Sequence, residues 1–284
     1  MIAQKFEYTA PRTLDEALHL LAAGAKPLAG GMSLIPMMKL RLAAPEHLVD
    51  LGKLKDLNYV HEADGALRIG ATATHTDLES SPILRAKCPL LAETAAAIGD
   101  VQVRNMGTIG GSVAHADPAA DYPAALQALE AKLVLKGSKS ERIVTAADFF
   151  VDAFTTSLQP SEIICEVIVP METAGTGTSY QKMPQPASGF AIVGVAARVR
   201  RSAGKIALVR IAVTGLSNRA YRAAAAEKTL EGKVGSAAET QNAAALVSQG
   251  VDANSDLHAS AEFRRHLAVV HAARALTVAL ARTA

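Results

Sequence analysis

Two glycine pairs are the positions in this 284-residue sequence where bare backbone can bind a ligand. The first pair is Gly30-Gly31, in the run from Leu28 to Leu34. Adjacent glycines permit positive φ angles and close approach of a ligand to the main chain. The N–H groups of Gly31 to Ser33 therefore suit a phosphate, and a helix that starts at residue 34 adds partial positive charge there. Taken alone, such a pair is more often just a tight turn.

The second pair, Gly110-Gly111, closes the motif RNMGTIGGS and has a hydroxyl residue on each side, Thr108 and Ser112. Two hydroxyls and exposed N–H groups at a glycine turn suit a diphosphate. Two such loops in one chain predict a ligand whose two phosphates are held from both sides. Two unrelated turns remain the alternative.

Other ligand-binding motifs are missing from the sequence. No G-x-G-x-x-G follows a predicted strand, and neither G-K-[ST] nor G-x-S-x-G occurs. Cys88 and Cys165 stand 77 positions apart and cannot supply the four thiolates of an iron–sulfur cluster. Their number allows one disulfide, but buried free thiols are favoured in a cytosolic chain. His115 and Asp117 resemble part of a metal site, but a loop contact is favoured because further ligands are lacking. Asp121 is either half of a carboxylate pair with Asp117 or, more simply, a helix N-cap. Any metal redox centre must therefore lie on another chain.

The composition is that of a globular protein with nearly balanced charge. There are 29 Lys+Arg and 27 Asp+Glu residues, which gives no reason to expect nucleic acid. The basic runs 198–201 and 264–266 are expected to be solvated faces. The N-terminus lacks an apolar signal core, and no run of 18 apolar residues occurs, so we expect no membrane span and a cytoplasmic location. Export in a folded complex, on the signal of a partner, is the alternative.

Hydrophobic periodicity and turn residues predict a mixed chain with one change of character. Helices are expected at 13–21, 34–42, from 76, and at 90–98 and 122–129, and strands at 47–51, 66–69, 132–135 and 162–169. The small, polar segment from Thr173 to Ser179 is a predicted junction. Three strands, at 179–183, 190–200 and 205–216, and then helices from residue 219 follow it. Strands followed by helices predict an α+β domain rather than an alternating one.

Four phrases together resemble the medium, FAD-binding subunit of the molybdenum hydroxylases, the family of xanthine dehydrogenase and aerobic carbon monoxide dehydrogenase. They are KPLAGGMSLIPMMKLRLA, RIGATATHTDL, VRNMGTIGGSVAHADPAADYPA and RRHLAVVHAARAL, which start at residues 26, 68, 103 and 264. The resemblance implies an α+β fold: a two-lobed FAD-binding domain of the vanillyl alcohol oxidase type, and a C-terminal domain of a small antiparallel sheet and a helix bundle. We expect the first domain at residues 1–175, with lobes at about 1–55 and 56–175, and the second at 176–284.

The resemblance also implies FAD-binding positions. The family's two loops correspond to Ala29, Gly30, Gly31, Met32, Ser33 and Leu34, and to Gly107, Thr108, Ile109, Gly110, Gly111 and Ser112. Ala71 and Thr74 match a turn that lines the cofactor. Asp121 matches an acidic position expected near the adenosine ribose, and Lys182 a basic one expected near the isoalloxazine edge. Phe190 matches a position that is often aromatic and covers the ring. No side chain is expected to act as a catalytic acid or base.

Three positions depart from the family pattern. Met32 stands where the carbon monoxide dehydrogenase pattern often has His, which weakens an assignment to carbon monoxide as substrate. Ser112 replaces a common Asn, and both can form hydrogen bonds. Gln185 replaces a common Arg, so the charge around the flavin ring is expected to differ.

The resemblance implies an oxidoreductase that works in a complex. Molybdopterin would lie on a large partner subunit and iron–sulfur clusters on a small one, in a dimer of heterotrimers, and FAD here would pass electrons to an external acceptor. A self-sufficient flavin oxidase or reductase on the same fold is the main alternative, but it would need its own substrate pocket and an acid or base beside the flavin. A binding module that uses the loops for another dinucleotide, or for none, is the third.

Overall fold

The computed structural model describes residues 2–283 and contains fourteen strands, twelve α-helices and two short 3-10 helices, Leu51–Lys53 and Lys55–Leu57, in that range. The strands are β1 (Glu7–Thr9), β2 (Lys26–Leu28), β3 (His47–Asp50), β4 (Val60–Ala63), β5 (Ala66–Gly70), β6 (Lys132–Lys136), β7 (Glu141–Thr145), β8 (Phe150–Asp152), β9 (Thr155–Thr156), β10 (Ile163–Pro170), β11 (Thr176–Pro184), β12 (Ala191–Ser202), β13 (Lys205–Thr214) and β14 (Tyr221–Arg222). The helices are α1 (Leu14–Ala22), α2 (Leu34–Lys39), α3 (His75–Ser80), α4 (Pro82–Lys87), α5 (Pro89–Ala96), α6 (Val101–Met106), α7 (Ile109–His115), α8 (Tyr122–Ala128), α9 (Ala146–Phe149), α10 (Ala224–Leu230), α11 (Ala237–Ala244) and α12 (Ala261–Ala281).

The first lobe is a small parallel sheet with one helix packed on it. The strand order is β1-β3-β2, with both pairings parallel. Helix α1 begins where predicted, because the Thr13 hydroxyl accepts the N–H of Glu16 at 3.3 Å. Its buried face, Ala17, Leu18 and Leu21, joins Val49 in a compact apolar core.

The second lobe places an antiparallel sheet against several short helices. Its strand order is β4-β5-β10-β6-β7, so β10 returns to the sheet centre between β5 and β6. Tyr122, Phe149 and Ile109 are among the fully buried side chains of its core. Both cysteines are free and buried, as expected from the sequence.

The C-terminal part is an antiparallel sheet, β11-β12-β13-β14, with different neighbours on its two faces. One face packs on α12 through Val195, Val199 and Leu276. The opposite face meets α8 of the second lobe. There Glu130 forms ion pairs with Arg210 and Arg222, with N···O distances of 2.9 and 3.0 Å. The sheet is therefore covered on both sides, and α8 holds it against the second lobe.

Several sequence predictions need correction at this level. Helix α2 ends at Lys39, not at residue 42, because Arg41 turns left-handed with φ of 62°. The predicted junction up to residue 179 is too long, since β11 already starts at Thr176. Arg264 is not solvated: it is buried, and its guanidinium donates to the carbonyl oxygens of Ile192 and Gly215. The burial of Arg264 depends on contacts with residues about 50 to 70 positions away, which periodicity along the chain does not report.

Across residues 2–283, no helix is both long enough and apolar enough to cross a membrane.

Candidate functional site

The two glycine loops lie against each other, although about 75 residues separate them in the sequence. A Cβ built on Gly30 would lie 1.9 Å from the carbonyl oxygen of Met106 and 2.8 Å from the Cα of Gly107. A Cβ built on Gly111 would lie 3.8 Å from the Cβ of Ala29. Gly30 is therefore needed where the loops touch, and the fold brings the two predicted halves of the site together.

The first loop offers a run of unpaired backbone donors. Within the described residues, no protein acceptor is bonded to the N–H groups of residues 30–34, from Gly30 to Leu34. Gly31 adopts a φ of 74°, and the loop is partly exposed. Backbone N–H groups that are not paired within the protein need water or a ligand as acceptor. This loop therefore has free donors for an anion, and the binding of a phosphate by Gly31 to Ser33 stays a prediction.

The second loop is not a turn with exposed donors, and this prediction was wrong. Thr108 is the N-cap of α7, so the glycine pair forms the first turn of a helix. The N–H groups of Ile109, Gly110 and Ser112 donate to the carbonyl oxygens of Ala73, Ala71 and Thr108, respectively. The N–H of Gly111 donates to the Thr108 hydroxyl at 3.1 Å. This loop can therefore contribute hydroxyls and an uncovered glycine, but not a row of free N–H groups.

The turn at residues 71–75 packs against the second loop. A Cβ on Gly110 would lie 2.6 Å from the Cβ of Ala71, which is itself buried. The Thr74 hydroxyl accepts the N–H of Asp77 as the N-cap of α3. Ala71 and Thr74 thus have structural contacts, and a direct contact with a cofactor stays a prediction for both.

His75 joins this turn to the second loop and to α8. Its backbone N–H donates to the carbonyl oxygen of Gly107 at 2.9 Å, and its Nδ1 lies 3.1 Å from the hydroxyl of the buried Tyr122. Burial, with the nearby charge of Arg104, lowers the pKa of His75 to about 4. The ring is therefore neutral at physiological pH and packs under Gly107. No spacing in the sequence singles out this residue.

Asp121 and Lys182 form one buried ion pair. The Nζ atom of Lys182 lies 2.9 and 3.0 Å from the two carboxylate oxygens of Asp121 and 2.6 Å from the carbonyl oxygen of Ala97. Tyr180 donates to the same carboxylate at 2.5 Å. Burial raises the pKa of Asp121 to about 6, although Lys182 and Tyr180 oppose the shift. The two residues therefore compensate each other's charge near neutral pH.

This contact corrects two expectations for the pair. Asp121 and Lys182 cannot mark opposite ends of an extended dinucleotide, because they touch each other. Asp121 does precede α8 as its N-cap residue, but its side chain makes no capping hydrogen bond, since it is committed to Lys182 and Tyr180.

Phe190 lies apart from the loops, on a cavity of about 310 Å³. Phe154, Asp117 and Arg264 also line this cavity, and Phe154 is largely exposed. Asp117 comes two residues after the end of α7, so the cavity and the second glycine pair lie toward opposite ends of that helix. Seven helical residues span about 10 Å. Phe154 is a residue that sequence reasoning missed, since it belongs to no motif.

Within residues 2–283, no group of three or more His, Cys, Asp or Glu side chains is arranged to hold a metal ion. The chemistry available at this site is anion binding by backbone and electrostatic tuning by a buried ion pair.

Comparison with known families accounts for nearly the whole chain. Residues 4–172 match the family described as the FAD binding domain in molybdopterin dehydrogenase. Residues 178–279 match the CO dehydrogenase flavoprotein C-terminal domain.

Individual relatives agree with these matches. The chain is 40% identical to the carbon monoxide dehydrogenase medium chain of Hydrogenophaga pseudoflava, over 100% of both chains. It is 36% identical to the glyceraldehyde dehydrogenase medium chain of Sulfolobus acidocaldarius, over 95% of this chain and 96% of that one. A solved structure of carbon monoxide dehydrogenase from Hydrogenophaga pseudoflava superposes with a TM-score of 0.97 at 43% identity and covers 100% of both chains.

Proposed function

The chain belongs to the family of FAD-binding medium subunits of the molybdenum hydroxylases, and from this premise we propose how its residues hold FAD and serve electron transfer. It is the flavin subunit of an oxidoreductase of the carbon monoxide dehydrogenase type. FAD supplies the redox chemistry when bound, because flavins accept electrons one at a time or in pairs. The protein's own part is to bind the cofactor, orient it and tune its surroundings.

The run of unpaired N–H groups at residues 30–34 carries the proposal. A pyrophosphate has several anionic oxygens in a row, and consecutive backbone donors match such a group without any side chain. Gly111 is exposed and lies close to Ala29 across the two loops. An uncovered glycine at that point leaves room for the phosphates between the loops. The residues present therefore fit the diphosphate of FAD.

The ion pair of Asp121 and Lys182 and the aromatic side chain of Phe190 are our candidates for the flavin end. Lys182 has three donors, and all three have acceptors in Asp121 and Ala97. Its charge therefore acts together with that of Asp121. The pair would tune the ring as a dipole at neutral pH, and as a net cation once Asp121 is protonated.

This subunit does not select the substrate of the complex. Relatives of similar identity are medium chains of a carbon monoxide dehydrogenase and a glyceraldehyde dehydrogenase, two enzymes with unlike substrates. We propose that substrate choice lies on a large molybdopterin subunit, and that a small iron–sulfur subunit delivers the electrons. We further propose a dimer of heterotrimers in the cytoplasm, and a domain division near residue 175.

Two measurements on the purified complex test the proposal. The first is FAD content per chain, which should be one in the native complex. The second is anaerobic flavin reduction by the substrate of the complex, which should occur in the assembled complex and not in this chain alone with added FAD. Bleaching of the flavin in the isolated chain would instead support a self-sufficient oxidase. A chain that takes up no FAD would refute the proposal.

A further inference from the structure

The end of helix α5 lies between the two glycine loops and the buried ion pair. The carbonyl groups of Ala97, Ile98 and Gly99 follow the last residue of this helix. Within residues 2–283, no backbone N–H donates to any of these three oxygens. Carbonyl groups at the end of a helix lack intrahelical donors and carry partial negative charge, so cationic side chains are favourable partners for them.

Two cationic side chains donate to these carbonyl oxygens. The Nζ atom of Lys182 lies 2.6 Å from the oxygen of Ala97. Arg104 donates through one Nη atom to the oxygens of Ile98 and Gly99, at 3.0 and 3.4 Å. Lys182 belongs to the ion pair at the proposed flavin end, and Arg104 lies on α6, which leads directly into the second glycine loop. The end of α5 therefore connects the two parts of the candidate site.

A second contact fixes the Arg104 side chain. Its Nε atom donates to the Glu79 carboxylate at 2.8 Å, and the side chain is only 16% exposed. A guanidinium can bind a carboxylate and backbone carbonyls together because its donors form a rigid planar fork, which the ammonium group of a lysine lacks. Arg104 therefore joins α6 both to α3 and to the end of α5.

Helix α6 depends on such contacts for its position, because it is only six residues long and none of them is buried. A Cβ on Gly99 would lie 2.9 Å from the Cβ of Val103, so α6 packs directly on the residues that follow α5. Met106, the last residue of α6, and Gly107 are the residues that meet Gly30 of the first loop. The position of α6 therefore determines how the two glycine loops touch.

The hairpin formed by β11 and β12 also contacts the end of α5. A Cβ built on Gly189 would lie 2.8 Å from the Cα of Gly99. Phe190 comes next in the chain, directly before β12, and Lys182 lies on β11 of the same hairpin. Both of these candidate residues for the flavin end therefore lie on an element that packs against residues 97–99.

We propose that Arg104 is a positioning residue of the FAD site, an inference that rests on the proposed function. It fixes α6 to the end of α5 and thereby holds Met106 and Gly107 against the first loop, where the diphosphate binds. Because Lys182 donates to the same helix end, removal of the Arg104 side chain should also change the surroundings of the flavin ring. A role confined to folding would change only the stability of the chain.

Arg104→Gln tests the proposal, with Arg85→Gln as the matched control. Arg85 is exposed on α4 and donates to the backbone carbonyl oxygen of Glu79, so its substitution makes the same change of charge beside the same residue. The FAD-free full-length chain is titrated with FAD and, separately, with ADP, which carries a diphosphate but no flavin ring. Far-UV circular dichroism and a thermal melt report the fold of each variant.

We expect Arg104→Gln to raise the dissociation constants of FAD and ADP by a common factor of about ten, the effect of one lost hydrogen bond to a charged group. Arg104→Lys keeps the charge but not the fork, so its constants should also exceed those of the wild type, whereas Arg85→Gln should match the wild type. Wild-type affinities in a folded Arg104→Gln, even with a lower melting temperature, would overturn the proposal. If Arg104→Gln does not fold, wild-type affinities in Arg104→Lys would overturn it in the same way.

The flavin midpoint potential provides a readout that folding stability does not move. With FAD bound, the potential of Arg104→Gln at pH 7 should differ from that of the wild type and of Arg85→Gln, because Lys182 shares the end of α5. An unchanged potential would overturn the link to Lys182, and weaker binding of FAD without weaker binding of ADP would overturn the action on the diphosphate loops. A wild-type chain that binds ADP but not FAD would instead refute the proposed function, and the ADP titrations would still test the role of Arg104.

Discussion

Gly30→Ala is the smallest change that separates the two glycine loops. The added Cβ would lie 1.9 Å from the carbonyl oxygen of Met106, 2.7 Å from its carbonyl carbon and 2.8 Å from the Cα of Gly107. All three are backbone atoms, so no rotamer change relieves the overlap. A real Cβ essentially never comes closer than 3.0 Å, and the loops must therefore move apart by more than 1 Å.

The expected effect is on FAD affinity rather than on folding. Free of cofactor, the partly exposed first loop can shift and relieve the overlap, but a bound diphosphate requires both loops in place. Overpacking of this kind costs about 1–3 kcal/mol. If the bound state bears that strain, the dissociation constant rises by a factor of about 5 to 150, since 1.4 kcal/mol corresponds to tenfold.

The assay is a fluorescence titration of the FAD-free protein with FAD, in parallel with far-UV circular dichroism and a thermal melt. Gly137→Ala is the control, because its Cβ would meet nothing closer than 3.6 Å and its φ is not positive. Wild-type FAD affinity in Gly30→Ala, with an intact fold, would refute the reasoning that loop contact and cofactor binding are coupled.

Three further predictions concern the same site. For His75→Gln, we expect the wild type to lose about 2 kcal/mol more unfolding free energy than the variant between pH 7 and 4.5, as measured by urea denaturation. The sign follows from the pKa of His75, which is lowered from 6.5 to about 4. The contribution of His75 to the unfolding free energy is complete above pH 6.5 and is lost as the pH falls toward 4. Parallel profiles of unfolding free energy against pH for wild type and variant would contradict this prediction. In the wild type, the flavin midpoint potential should show an inflection near pH 6, because protonation of Asp121 leaves the charge of Lys182 uncompensated. Asp121→Asn should remove this inflection, and an inflection that persists in spectroelectrochemical titrations of the variant would exclude this pair as its cause. Gly111→Val should abolish FAD retention, because its side chain would fill the space beside Ala29 and crowd the Thr108 hydroxyl at 2.9 Å; an unchanged ratio of flavin to protein in a folded variant would rule out the loop assignment.

Local signals were sufficient for much of the fold. The Thr13 cap of α1 and the start of α3 after Thr74 depend on neighbours within a few residues. The α+β class follows from the order of such elements along the chain. Family membership was also readable from sequence alone, since four phrases with their spacing identify it, and the comparisons confirm it.

Local signals did not predict the structure of the second glycine loop. Its glycines, threonine and serine are equally compatible with a turn and with the first turn of a helix. The choice was made by Ala71 and Ala73, which accept the N–H groups of Gly110 and Ile109 and are more than 30 residues away. As a result, the free donors lie on the first loop only.

The sequence by itself determined which residue types could bind a diphosphate, the class of fold and the family. Only the tertiary structure decided that Gly30 faces Met106, that Asp121 pairs with Lys182 and that Arg264 is buried. The physical reason is that composition and periodicity report contacts within a few residues. Burial, charge pairing and close backbone approach are set by segments about 60 or more positions apart, and they exist only once the chain has folded.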